Sequence, residues 1–415
     1  MRYARGTRVE GAGAALMVTY LATAFLARFA DEGVGIALAL LAVERTGSPA
    51  SGAFVLTAWL APHAVAAPVV GALAERARVP RLFHGCALAV FGAAIALLGL
   101  TLGRAPMPLT LGAALVGGSV GPMVTGGLSS LLATRVPAGQ TRTRAYALDA
   151  TTYNAAAVAA PAAVSTAATA TSATLATALL ATSAGCAALL CMAQRLPAAD
   201  RDASRHPPLR RGLRPGELAI GVRALWHIPQ LRAVTVATCV AFLGVGGLPV
   251  TAVLLAAQRG EPGAGGVLLT AFAVGGLVGS LGVARWRRAP APARLARLGL
   301  LATATALAAA ALAPSLPWTV ALFALAGLGD GPLLTATLRI RADHAPEEAR
   351  TQVFTLGAGL KLTAAAAGTA LVGAFAHLPA LVLTLFVAVL HLAAAALVEA
   401  LGRRSGSQHR PGVDA

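Results

Sequence analysis

The spacing of its apolar blocks constrains this chain more than any other feature. Runs long enough to cross a bilayer lie at roughly 13–43, 50–74, 82–103, 108–133, 145–165, 172–193, 232–256, 264–284, 295–313, 317–338, 353–376 and 379–401. A hydrocarbon layer about 30 Å thick takes about 20 residues of helix to span, and a chain inside it must satisfy its backbone polar groups internally. Twelve such blocks, in two sets of six, predict an all-α integral membrane protein with twelve transmembrane helices. Composition agrees, with 57% hydrophobic and only 12% charged residues. A soluble protein of this length would not stay dispersed with so few charges.

The net charge of +17 could suggest nucleic acid, but the arginines fall almost entirely in short gaps between apolar blocks. Arg2, Arg5 and Arg8 precede the first block, and Arg76, Arg78 and Arg81 follow the second. Arg135, Arg142 and Arg144 follow the fourth, Arg285, Arg287, Arg288, Arg294 and Arg297 the eighth, and Arg339, Arg341 and Arg350 the tenth. Arg403, Arg404 and Arg410 close the chain, and the alternate loops hold only Arg45, Arg104 and Arg259. This is the positive-inside pattern. It places both termini and the central polar stretch in the cytoplasm of a multi-pass protein of the inner or plasma membrane, with lipid and not nucleic acid around it. The expected organisation is a six-helix bundle over 1–194, a central loop over 195–231, a second bundle over 232–402 and a tail over 403–415. In the loop, Gly216–Ile228 is expected to form a short amphipathic helix with Leu218, Val222, Leu225 and Trp226 turned inward. Cys86, Cys186, Cys191 and Cys239 all lie in apolar blocks without a paired spacing, so neither disulfides nor a metal site is expected. No cleavable signal peptide is expected either, since the first block is too long and carries charges.

An internal repeat supports two halves. Ala114-Leu115-x-Gly117-x-x-x-Gly121-Pro122-x-x-Thr125 in the fourth block returns as Ala324-Leu325-x-Gly327-x-x-x-Gly331-Pro332-x-x-Thr335 in the tenth. Downstream, Arg142-Thr143-x-x-Tyr146-x-Leu148 is echoed by Arg350-Thr351-x-x-Phe354-x-Leu356. Parallel repeats of six spans are a transporter architecture, with substrate bound near the midplane.

After the second block the chain reads Gly71-Ala72-Leu73-Ala74-Glu75-Arg76-Ala77-Arg78. Here it resembles the major facilitator superfamily, whose signature at this place is GxxxD(R/K)xG(R/K), and the likeness in spans, central loop and repeated halves covers the whole chain. Glu75 stands where the family usually has Asp, and Arg78 where it has Gly. The counterpart Gly279–Arg288 keeps the glycine and the basic run without the acid. The resemblance implies two pseudo-symmetric six-helix bundles and a cytoplasmic gate built from Gly71, Glu75, Arg76 and Arg78. The acid in span one and Arg144–Asp149 opening span five resemble the bacterial efflux, drug–proton antiporter branch. The Gly-rich motif usual in the fifth span of antiporters is here Ala159-Ala160-Pro161-Ala162-Ala163, with only the proline kept.

Charges inside the blocks are costly and mark candidate sites. Arg28 has Asp31 at i+3 and Glu32 at i+4, so one guanidinium can neutralise one carboxylate along the helix and one acid is left over. A carboxylate in a low-dielectric site favours its protonated form, which makes the spare acid a candidate proton carrier; a structural ion pair plus an acid in a wet vestibule is the plainer alternative. Asp330 and Lys361, the only lysine, lie at matching depth on consecutive spans and can pair, either as a lock between helices or in coupling. His63 follows Pro62 in mid-span and is a candidate titrating group or a packing histidine. Asp149, beside Tyr153 and Asn154, is expected to be a solvated cap. Gly246, Gly247, Pro249 and the two Gly-Pro pairs are expected bending points.

No HExxH, GxSxG or ATP-binding loop is present, so neither an enzyme nor a primary pump is expected. The reading that follows is a secondary transporter, with no cofactor, working as a monomer. It exports a small organic or drug-like molecule against proton entry. Uptake or facilitated diffusion on the same fold, and a non-transporting scaffold, are the alternatives.

Overall fold

The computed structural model describes residues 2–194, 215–261 and 263–407. The side chains of Arg2, Arg5, Arg8, Arg403 and Arg404, together with Arg410 and the linker arginines between 195 and 214, lie outside the described residues.

The helices are α1 (Arg2–Thr46), α2 in two pieces (Pro49–Leu60 and His63–Glu75), α3 (Pro80–Thr101), α4 (Met107–Arg135), α5 (Gln140–Ala170) and α6 (Ala173–Ala193). After the linker helix Pro215–His227 come α7 in two pieces (Pro229–Val245 and Leu248–Gln258), α8 (Gly265–Arg285), α9 (Pro292–Leu312), α10 (Leu316–His344), α11 (Arg350–Ala374) and α12 (Ala380–Ser407). Among the described residues nine helices are long and apolar enough to cross a membrane, or ten if the pieces of α2, bent by 41°, are one span. The two others are α1, with three charges in its middle, and α5, diluted by alanine, threonine and Asp149. The described residues contain no strand.

Local chemistry explains the ends and breaks. Proline sits in the first turn of α3, α4, α7, α9 and α10, where its missing N–H would have had no partner anyway. Ser172 caps α6 by accepting from the Leu175 amide at 3.1 Å. The pieces of α2 meet at Ala61–Pro62, and those of α7 at Gly246–Gly247, just before Pro249. After Gly121-Pro122, α4 widens into a π-turn over Met123–Gly127, whereas Gly331-Pro332 lies inside an unbroken α10. At the end of the π-turn the His84 ring meets the Gly127 carbonyl at 3.2 Å, and just past it the Tyr20 hydroxyl donates to the Leu128 carbonyl at 3.2 Å.

The repeated glycines are places where helices touch. A β-carbon on Gly117 would enter the Trp59 indole, one on Gly118 the Trp59 carbonyl, and one on Gly121 the His63 ring. In the second repeat, a β-carbon on Gly327 would meet the Phe272 carbonyl, and one on Gly331 the Gly276 carbonyl. The motif therefore lets α4 cross α2, and α10 cross α8, at backbone distance.

By packing, the chain divides into two compact units. The first gathers Met1–Leu128 and Ala156–Leu218, and the second Ser129–Ala155 and Ala219–Ala415. In the first, α1 packs on α6 through Gly33, against which Leu180 and Val164 lie. In the second, a core of Ala147, Ala237, Leu295, Leu300, Leu333 and Ala336 joins the start of α5 to α7, α9 and α10. Large apolar side chains such as Phe54, Val65, Leu100, Leu189 and Leu312 stand on the outside, as lipid-facing residues do.

The linker helix forms, but not with the expected face inward. Gly221, Ala224 and Leu225 are its buried face, while Val222 and Trp226 are exposed. The Gly221 amide donates to Gln352 Oε1 at 2.7 Å, and a side chain at 221 would collide with Gln352. Close approach of backbone, and not a wide apolar stripe, sets how this helix turns.

Candidate functional site

In the first unit, Arg28 is fully buried at 1% exposure, among the largest buried side chains of the chain. Asp31, one turn on, is half-buried, and Glu32 is exposed. The helix thus holds its cation inside and presents its acids in graded contact with the surroundings. Phe25 and Phe29, with ring centroids 6.0 Å apart, flank the same stretch.

His63 opens the second piece of α2 and is buried, with Nε2 against Gly121 and no partner for Nδ1. Trp59, one turn earlier, is packed edge-on against Phe91 at 5.0 Å and belongs to the core. At the end of α2, Gly71, Glu75 and Arg76 are buried and Arg78 is exposed. Arg76 forms an ion pair with Glu217, in the first turn of the linker helix. An acid at a helix N-terminus is favourably placed for the helix dipole, so Glu217 satisfies two partners. The sequence pattern marked Arg76 but not Glu217, which lies 141 residues away.

In the second unit, Asp330 on α10 is half-buried and stands within electrostatic reach of Lys361 on α11. The Lys361 ammonium lies over the Phe242 ring at 4.3 Å and the Tyr153 ring at 5.7 Å. Two aromatic rings from α7 and α5 therefore share one cation with one carboxylate. Asp149 is not a solvated cap. It is fully buried, and Ser129 Oγ donates to it at 2.7 Å, so a hydroxyl from α4 replaces water. Asn154 lies against Gly276, where no β-carbon would fit.

On the arginine-rich side of the same unit, the α4–α5 turn is tied to the end of α10. Gly139, at φ +103°, turns the chain so that its carbonyl accepts from Arg339 Nη1 at 2.5 Å. Arg339 also donates to Thr143 Oγ1 and, through Nε, to Asp343 at 2.5 Å. Arg142 donates to Asp343 at 2.9 Å and to the Val136 carbonyl through Nε and Nη2. One carboxylate thus holds two guanidiniums, and each guanidinium caps a carbonyl of the turn. Tyr146 and Phe354, which correspond in the two copies, stack at 6.1 Å and 22°, and the same register pairs Tyr153 with Lys361.

The sequence model of the Major Facilitator Superfamily matches residues 20–290. The chain belongs to the major facilitator superfamily. Solved members share its fold along nearly its whole length. A human organic anion transporter superposes with a TM-score of 0.75 at 14% identity, covering 93% of this chain and 99% of that one. A bacterial homologue of the iron transporter ferroportin in an outward-facing state gives 0.72 at 16% identity, covering 94% and 99%. A multidrug efflux pump of Mycolicibacterium fortuitum is 29% identical over 159 residues, a stretch that spans 38% of either protein. This facilitator-superfamily chain is therefore a multi-pass membrane transporter. Asp343 carries no motif, and only the packing of the α4–α5 turn on the end of α10 sets it between Arg142 and Arg339.

Proposed function

We propose that this transporter exports a small organic or drug-like molecule across the inner or plasma membrane by alternating access, driven by proton entry, with Asp31 or Glu32 as the proton carrier. The observation that carries this reading is the charge set of α1. Arg28 is wholly buried, and two carboxylates of unequal exposure follow within one turn. Both carboxylates lie within about a turn of the guanidinium, and either is in a position to gain and lose a proton. The efflux pump to which the chain is similar supports the direction of transport.

In this reading the arginine-rich side is cytoplasmic, with both termini there, and the bundles 1–194 and 232–402 alternate about the central loop. Gly71, Glu75, Arg76 and Arg78, with Glu217, form the gate on that side; His63, Asp330 and Lys361 complete the proton and substrate path. The chain works as a monomer in lipid, without a cofactor. Protonation changes the local charge on α1 and so shifts the balance between inward- and outward-facing states.

The test is pH-gradient-driven transport in proteoliposomes by Asp31→Asn and Glu32→Gln, after a growth-inhibition screen has supplied a cargo. One of the two is expected to lose coupling while still exchanging cargo down its gradient. Full coupling in both variants removes the proton-carrier assignment. Flux indifferent to an imposed proton gradient in the wild type would favour facilitated diffusion.

A further inference from the structure

Arg341 lies on α10, two residues after the Arg339 of the α4–α5 tie, and it does not join that tie. Its exposure is 3%, and its Nε and Nη2 are buried without a hydrogen-bond partner. The guanidinium carbon rests where a β-carbon of Gly357 would be, so the bare backbone of α11 seats it. Lys361 is one turn further along α11, with its ammonium over Phe242 and Tyr153. Cys239, on α7, lies within electrostatic reach of Arg341 and of Lys361. Thr235, one turn before Cys239 on α7, has a buried hydroxyl that also lacks a partner.

The charge balance of this cluster is uneven. Asp330 is the carboxylate that answers Lys361. Among the described residues no carboxylate pairs with Arg341, and the groups in electrostatic reach of it are the Cys239 thiol and the Tyr153 phenol. A buried guanidinium normally has a carboxylate or a full set of acceptors, and its two free donors form the fork that fits an oxyanion.

We infer that Arg341, with Thr235 and Lys361, forms an anion-binding subsite, and that its ligand is an amphipathic organic anion, a carboxylate or sulfonate whose apolar body lies along Phe242 and Tyr153. Identifying that ligand as cargo rests on the transport reading above; the binding itself does not. The subsite lies within one packed unit, formed by α5, α7, α10 and α11. Gly357 is part of it, because any side chain there displaces the guanidinium.

Cys239 is a built-in reporter. In the full chain carrying Cys86→Ser, Cys186→Ser and Cys191→Ala, the remaining thiol is modified in detergent with sulfonatoethyl and with trimethylammonioethyl methanethiosulfonate. Each rate is normalised to that of free 2-mercaptoethanol. The anionic reagent is expected to react at least about tenfold faster than the cationic one, the factor that one uncompensated charge about 6 Å away gives even at the dielectric of water, about 80. Naphthalene-2-sulfonate is expected to slow the reaction, and the naphthyl trimethylammonium cation to leave it unchanged. Arg341→Gln is expected to abolish both preferences. Arg341→Lys is expected to keep the reagent preference and lose the protection, since it keeps the charge without the fork. Equal normalised rates in the wild-type charge background overturn the proposal, as does protection by the cation as good as that by the sulfonate. These two outcomes are read without Arg341→Gln, so they stand if that variant does not fold. None of these readouts depends on a proton gradient, so loss of proton coupling in the α1 variants leaves them standing.

Discussion

The α4–α5 tie offers the sharpest energetic test, because a single carboxylate holds it. Asp343 accepts from Arg142 at 2.9 Å and from Arg339 at 2.5 Å, with the three side chains 14%, 10% and 22% exposed in the order Arg142, Arg339, Asp343. A shielded charge-assisted bond contributes about 1.5–3 kcal/mol, and partial exposure lowers such pairs towards about 1 kcal/mol each. Asp343→Asn keeps the shape and one acceptor oxygen, so one arginine retains a neutral bond. The remaining capping bonds to Val136, Gly139 and Thr143 are untouched. The expected loss is then about 1–3 kcal/mol, confined to the turn, which corresponds to about 5- to 150-fold in a local opening equilibrium. Hydrogen–deuterium exchange of peptides covering 136–146 should speed up by that factor in Asp343→Asn, while α3 exchanges as before. A double-mutant cycle with Arg142→Gln should show coupling, because the two side chains share the bond. Exchange at 136–146 within twofold of wild type, or strictly additive effects in the cycle, would refute the assignment of Asp343 as the clasp.

Three further outcomes follow from the packing. Gly118→Leu, which drives a side chain into the Trp59 carbonyl, should cost about 3 kcal/mol or more in thermal unfolding. Gly112→Leu, with open space around its β-carbon, should stay within about 0.5 kcal/mol. Lys361→Met should destabilise by less than the about 3–5 kcal/mol of a stranded charge, because Asp330 can take up a proton once its cation is gone, and Lys361→Met with Asp330→Leu should recover most of that loss; an unaffected single variant would mean the two do not pair. Glu217→Gln should loosen the linker helix by about 1 kcal/mol, seen as about fivefold faster tryptic cleavage after Arg223. Arg76→Gln should match it, and the double variant should be no faster than either.

What was legible in the sequence was whatever the bilayer dictates. The run of apolar helices and the repeat follow from counting, because a chain in hydrocarbon must satisfy its backbone polar groups internally. The break at Gly246–Gly247 was legible through glycine and proline chemistry, whereas the one at Ala61–Pro62 was not marked as a bending point. The repeat glycines were visible as a pattern, but their meaning was not, since the atoms they touch belong to Trp59, Phe272 and Gly276 on other helices. Asp149 was misread for want of its partner, because a hydroxyl on a neighbouring span leaves no trace in local polarity. Arg341 was hidden by its company. It stands in a row of arginines whose sequence context points to topology, and only the empty place at Gly357 shows that this one turns inward.

That contrast bears on how a duplicated fold acquires a site. The register that aligns Tyr146 with Phe354 also aligns Asp149 with Gly357 and Tyr153 with Lys361. At the first of these pairs the two copies keep an aromatic ring, and the rings stack. At the second, one copy buries a carboxylate against Ser129, and the other has no side chain and admits Arg341. At the third, a ring in one copy faces an ammonium in the other. Packing positions therefore repeat, while the positions nearest the charge cluster differ in sign or polarity. A strict repeat would set like against like here, lysine against lysine or acid against acid, and repulsion in a low-dielectric interior would force the pair apart. Departure from symmetry at residue 153 is what lets Lys361 stand on α11 with a ring, and not a second lysine, facing it from α5.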